Sequence, residues 1–324
     1  MRHQVDHSPL QGKANNLNIS SGQRMQILSS IINPSEGSIS FSANSRSRDL
    51  NIKILISHEE VRILDDTALI PLPNDTSLEW NLRDTIREIT RKHLLDKKSF
   101  CFGQCLTAVG WVGGTLPKLY EEDGMVEVTT ADVANGGFVV GAGLQGTRPI
   151  YVVRYQGFQW YNAPIILNYA CKSKEIWNIP CPIFIRSIAM EGGIGPVAGS
   201  SHHSIYHRMP GVKILSPMTP KEFQFCYEKF MEDDDVYYIS EHRRSYDNEL
   251  ETENIIHENA DFTLIPFSVT RFNAIEAQRI LEGKGYKINI IHQLWIKPFE
   301  LKNNWLKAIN NSKYGGLVLD DDYE

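Results

Sequence analysis

The residues of this chain that could do chemistry fall in two short stretches. In the first, VEVTTADVANGGFVVGAGLQGTRPIYVVRYQGFQWYNAPI at 126–165, a lone acid, Asp132, stands in the loop before a glycine-rich helix. A carboxylate so placed can hold or accept a proton. Gly136, Gly137, Gly141 and Gly143 permit close approach of backbone, either to a partner helix or to a ligand, and spacing leaves both readings open. No GxGxxG follows a strand here and no GxxxxGKS/T loop occurs, which sets aside both common nucleotide fingerprints. The second stretch, GSSHHSIYHRMPG, carries His202 and His203, with Gly192, Gly193 and Gly195 shortly before them. An imidazole polarises an oxygen or moves a proton near neutral pH, and those glycines let backbone come up to a ligand. A solvated pair in a surface loop is the alternative. The five cysteines, Cys101, Cys105, Cys171, Cys181 and Cys226, form an odd set without a CxxC pair, and no His pair lies near Cys101 and Cys105 at metal spacing. They read as reduced thiols filling core space.

Elements able to position these groups begin at Asn81, which can cap a helix with Asp84 at the third position while Leu82, Ile86, Ile89 and His93 repeat at helical spacing. Short apolar runs follow at 99–103, 149–155, 182–189, 212–217 and 236–240, and read as buried parallel strands. Segments of helix length lie between them at 134–146, 163–177 and 220–232, which makes a doubly wound, mostly parallel α/β sheet the expected fold. After EHRRSYDNELETENIIHENA (241–260) a smaller α/β unit has strands at 261–268, 287–296 and 315–321, a helix at 270–285 and a further helix before the last strand. A domain that stops on its third strand reads as incomplete or abbreviated. The expected division is thus a poorly patterned extension over 1–80, where only 51–64 looks like strand material, then domains over 81–245 and 246–324. The acidic runs 233–235 and 320–324 read as solvated turns, Arg243 and Arg244 as interface residues, and His292 and Trp295 as core or interface.

Composition narrows the classes. A chain of 324 residues, 42% hydrophobic and 22% charged, suits a soluble globular protein with room for two domains. With 33 Lys+Arg against 39 Asp+Glu, and a net charge of -6, no basic footprint exists for a phosphate backbone, so nucleic acid is not an expected partner. No apolar run approaches the roughly 20 residues that cross a bilayer. MRHQVDHSPLQGK lacks the apolar core of a signal peptide. A cytoplasmic location is expected, or the mitochondrial matrix in a eukaryote, although no clear transit peptide is present.

Taken in order, NLRDTIREITRKHL, FGQ with GGTLPKLYEEDG, ADVANGGFVVGAGLQGTRPI, NIPCPIFIRS, HHS with MPGVKILSPMTPKEF, and DDDVYYISEHR resemble the beta subunits of thiamine-diphosphate-dependent 2-oxoacid dehydrogenases. Those subunits join a transketolase-type pyrimidine-binding domain to a transketolase C-terminal domain. The resemblance spans about 82–320 and implies half of a cofactor site. The partner alpha subunit, carrying a GDGxxN-type motif absent here, would hold Mg²⁺ and the diphosphate. It further implies a heterotetramer dimerised through the C-terminal domain, and a lipoyl-bearing acyltransferase as a further partner. Family members place a glutamate on a ring nitrogen of the aminopyrimidine; aligning VVGAG and GTRPI puts Asp132 there, one methylene short. Gln104 stands where the family has an acid in a polar route between active sites, and an amide cannot ionise. The family role of Phe158 is an aromatic face on the aminopyrimidine, against the plain reading of a strand-end core ring. His203, ahead of His202, falls where a family histidine meets the substrate's carbonyl or carboxylate, in a loop shorter than in relatives. Two alternatives accompany this reading: a split transketolase or related ketol- or acyl-transferring synthase subunit, and a catalytically silent scaffold.

Overall fold

The computed structural model describes residues 80–97, 99–190, 199 and 201–322, together with the backbone of three strands nearer the N-terminus. The chain divides into two compact units, Met1–Leu64 and Asp65–Glu324. In the first, β1 (Gln26–Asn33), β2 (Ser38–Ser45) and β3 (Arg48–Leu55) form an antiparallel meander. The strand expected over 51–64 overlaps the end of β3, and its remainder lies outside the described residues. The first two strands were not legible, because Ser and Asn interrupt their apolar pattern.

The second unit opens with α1 (Leu82–Lys97), whose Asp84 amide donates to Asn81 Oδ1 at 2.9 Å, the expected cap. Then come β4 (Cys101–Gln104), the one-turn segment α2 (Gly110–Gly114), β5 (Met125–Val128), α3 (Asp132–Leu144) and β6 (Ile150–Val153). A long helical run follows: α4 (Gln159–Ile165), a π-turn at Ile166–Ala170, and α5 (Cys171–Trp177). After it lie β7 (Phe184–Ala189), β8 (Val212–Leu215), α6 (Pro220–Glu232) and β9 (Val236–His242). The rest is β10 (Phe262–Pro266), α7 (Thr270–Glu282), β11 (Ile288–Ile290), β12 (Trp295–Lys297), α8 (Asn303–Asn311) and β13 (Gly316–Leu319).

Seven strands form one sheet in the order β12-β8-β9-β7-β6-β4-β5, parallel except for β12. Side chains alternate across it. Ile150, Val152 and Phe184 join α1 and α6 on one face, whereas Tyr151, Val153 and Ile185 join α3 and α4 on the other. Because helices cover both faces, the strands are largely apolar, as the sequence suggested; Arg186 on β7 and Glu241 on β9 are buried and paired at 2.7 Å. Gly136 and Gly143 show why α3 is glycine-rich: a Cβ would stand 3.0 Å from Asn162 O and 2.9 Å from Cys181 Sγ, respectively. The helix-packing reading therefore holds at these two positions, while a Cβ on Gly137 would meet nothing within 4 Å.

The chain departs from expectation in three places. β5 occupies the sheet edge where no strand was assigned. The run expected as one strand over 287–296 splits: β11 joins β10 and β13 in a small parallel sheet, whereas β12 crosses to pair antiparallel with β8. The acids at 233–235 are anchored rather than merely solvated, since Arg148 donates to Asp234 Oδ1 at 2.9 Å and Lys213 pairs with Asp233. As for the thiols, all five are free, and only Cys105 is not buried.

Candidate functional site

In an open parallel sheet, ligands collect at the carboxyl ends of the strands, where loops diverge and helices begin. Every predicted site residue lies at that edge. Gln104 ends β4, and Asp132 opens α3 just after β5. The structure brings the two together: Gln104 Nε2 donates to Asp132 Oδ1 at 2.6 Å. Both side chains are half-buried. The other oxygen, Oδ2, accepts no hydrogen bond among the described residues. Beside this pair, Glu127 on β5 is occupied by Thr107, whose amide and hydroxyl donate to Oε2 at 2.8 and 2.5 Å.

Phe158 closes a 3-10 turn after β6 and is half-buried against the α3/α4 core, its ring 5.9 Å from that of Tyr155. This packing agrees with the core reading and leaves the side chain partly accessible. On the same turn, Gln156 is fully buried and organises the other half of the edge. Its Nε2 donates to Ser240 Oγ at 2.9 Å and to Ser187 O at 3.1 Å, while its Oε1 accepts from the His202 amide at 2.6 Å.

His202 and His203 are buried rather than solvated, 6% and 3% exposed. The His202 ring stands edge-on to Trp160 at 6.5 Å, and burial holds its pKa below the usual 6.5. His203 Nδ1 lies 3.3 Å from Ser240 Oγ, and its Nε2 lies 3.2 Å from Asp320 Oδ2 and 3.4 Å from Asp322 Oδ2. Burial opposes its charge, but the Asp320 hydrogen bond and the fields of Asp320, Asp322 and Asp321 outweigh that and raise its pKa above 6.5. The run at 320–322 is consequently no solvated turn. It folds back over the histidine loop, and residues 323–324 lie outside the described residues, as do Gly192, Gly193 and Gly195.

The acid–amide pair and the histidines are thus held by separate sets of partners along one sheet edge, with the Phe158 turn between them in chain order. Sequence reading missed Gln156, Ser240 and Asp320–Asp322. Their one available signal was position: Gln156 and Asp320–Asp322 follow strands at the carboxyl edge, and Ser240 lies near the carboxyl end of β9. A cavity of about 360 Å³ lies elsewhere, lined by residues such as Arg87, Arg91, Trp111 and Lys118, and no site residue borders it. Among the described residues, no group of three or more His, Cys, Asp or Glu side chains could hold a metal ion, and no helix is long and apolar enough to cross a membrane.

Residues 91–248 match the family described as transketolase, pyrimidine binding domain. The beta subunit of 2-oxoisovalerate dehydrogenase from Bacillus subtilis (strain 168) is 24% identical over 257 residues, covering 71% of this chain and 75% of that one. The beta subunit of acetoin:2,6-dichlorophenolindophenol oxidoreductase from Cupriavidus necator is 24% identical over 234 residues, covering 66% and 68%. In fold, the chain is similar to a split-gene transketolase solved as an inactive beta4 tetramer, with a TM-score of 0.53 at 14% identity over 72% of this chain and 77% of that one. It is also similar to the transketolase of Campylobacter jejuni, with a TM-score of 0.59 at 16% identity; the match covers 79% of this chain but 41% of that longer one.

Proposed function

We propose that this chain, a divergent member of the 2-oxoacid dehydrogenase beta subunits carrying a transketolase-type pyrimidine-binding domain at 91–248, supplies the aminopyrimidine half of a thiamine diphosphate site. The observation that carries the reading is the Gln104–Asp132 pair at the carboxyl edge of the sheet. Its donor set fits an aminopyrimidine. Asp132 offers an oxygen with no described partner, and half-buried Phe158 offers an apolar surface to a flat ring. When bound, thiamine diphosphate would supply a carbon acid that, once deprotonated, is a nucleophile for the 2-oxo carbon and an electron sink for decarboxylation.

Asp132 would share a proton through Oδ2 with a ring nitrogen, and Gln104 would fix the carboxylate by holding Oδ1. Gln104 acts here as a donor and not as a titrating acid. His203 would meet the substrate's carboxylate or carbonyl, with His202 kept neutral beside it. Mg²⁺ and diphosphate ligands fall to an alpha partner with a GDGxxN-type motif, in a heterotetramer dimerised through the C-terminal unit. A cytoplasmic setting and a lipoyl-bearing acyltransferase complete the assignment.

The test is the exchange rate of the thiazolium proton in the complex assembled with its alpha partner. Asp132→Asn keeps the shape but removes the proton partner, so exchange and turnover should fall by about a hundredfold or more with little change in cofactor affinity. Unchanged exchange in Asp132→Asn would sink the assignment. If the wild type never exchanges faster than free cofactor, the chain is a silent scaffold.

A further inference from the structure

Both ring nitrogens of His203 are engaged within the chain itself. On the inner side, Ser240 Oγ already accepts from Gln156 Nε2 at 2.9 Å, so its own proton is free for Nδ1 at 3.3 Å. In the neutral ring that leaves the N–H on Nε2, aimed at Asp320 Oδ2 and Asp322 Oδ2, 3.2 and 3.4 Å away. The acids reach it on one segment directly after β13, fastened beyond the histidine as well. Ser201 Oγ donates to Asp321 Oδ2 at 2.8 Å, and the Ser204 amide donates to Asp322 Oδ2 at 2.7 Å. Ser201 and Asp322 also pair as an isolated parallel bridge. An imidazole N–H bonded to Asp320 and a backbone N–H bonded to Asp322, side by side, make a carboxylate receptor, and here the protein's own two acids fill it.

We propose that Asp320–Asp322 is a latch: it occupies, on His203 and the Ser204 amide, the place of the substrate's carboxylate, and must swing aside before a 2-oxoacid binds. The inference rests on the assignment of His203 to the substrate and adds a regulatory element to that site. Competition inside one chain lowers the apparent affinity in proportion to the closed fraction. A latch shut about nine-tenths of the time weakens binding about tenfold.

The experiment titrates the full-length chain with sodium 2-oxoisovalerate while following the Ser204 amide and the His203 ring nitrogens by NMR. In the wild type, saturation should shift the Ser204 amide as Asp322 leaves it; an unmoved amide overturns the latch. The double variant Asp320→Asn/Asp322→Asn should bind the probe about tenfold more tightly, and His203→Ala in that background should abolish the gain. Equal or weaker binding by the double variant overturns the proposal, as does a gain that survives His203→Ala. Should the double variant fail to fold, Asp320→Asn alone, at the more exposed acid, gives the same comparison, with a gain of about threefold expected and none contradicting it. No cofactor or partner enters the titration. Absence of thiamine diphosphate binding in the assembled complex would remove the assigned reaction and leave these affinities as measured; an unchanged affinity would remove the latch alone.

Discussion

At the scale of single residues, the acid–amide pair shows what a linear motif does and does not reveal. Asp132 was legible because the phrases VVGAG and GTRPI downstream fix its position, and Gln104 because it lies within FGQ. Their hydrogen bond was not, since it spans 28 positions. The contact of Asp320 with His203 spans 117 positions, and a run of three acids looks in sequence like any solvated turn. Gln104→Ala should remove the donor that fixes Asp132. A hydrogen bond to a charged group contributes about 1.5–3 kcal/mol, so kcat/KM of the assembled enzyme should drop roughly ten- to hundredfold. Gln104→Glu would instead set a second carboxylate beside Asp132. Like charges raise the pKa of such a pair, and the acid limb of the pH–rate profile should move to higher pH. A profile identical to wild type in both variants would place the working acid elsewhere.

Among elements, the strands and helices around the site were readable because helices cover both sheet faces and impose long apolar runs, whereas the break between β11 and β12 was not. Nothing in KINIIHQLWI marks where one strand ends and another leaves for a different sheet; tertiary pairing with β8 decides it. Phe184 on β7 sits among Phe223, Tyr227 and Phe230, with ring centroids 5.2–6.1 Å away, and locks α6 to the sheet. Phe184→Ala should cost about 3–5 kcal/mol in chemical denaturation. A loss below 1 kcal/mol would mean that α6 repacks freely. The β13 segment should show its own pH dependence. The folded pKa of His203 is raised above 6.5, so its contribution is full below that value and lost as pH rises through the folded one. Asp320 is partly desolvated, but its hydrogen bond to His203 prevails and lowers its pKa below 3.8, so its contribution is present above 3.8 and lost as pH falls through the folded value. Asp321 acts the other way: burial raises its pKa above 3.8, so its contribution is lost as pH rises through the folded value. Hydrogen-exchange protection of 316–322 should therefore decline as pH rises beyond 6.5, through His203, and fall through Asp320 as pH drops below 3.8. Protection independent of pH would show that the carboxylates do not hold the segment.

For the whole molecule, the proposed half-site requires a second chain. The helical run Gln159–Trp177 leaves Trp160, beside His202, 65% exposed and, at its other end, Ile176 58% and Trp177 52% exposed. Large apolar side chains gathered on one element mark an interaction surface. The double variant Ile176→Ser/Trp177→Ser should leave the fold intact while weakening assembly with the alpha partner, measured by light scattering of the mixed chains. Undiminished assembly would put the interface on another face. The central claim is that this chain holds one half of a thiamine diphosphate site, and a calorimetric titration of cofactor with Mg²⁺ tests it most directly. The chain alone should show little or no binding, and the same chain mixed with an alpha partner bearing a GDGxxN-type motif should bind tightly. Tight binding by the isolated chain, or none by the mixture, would contradict it.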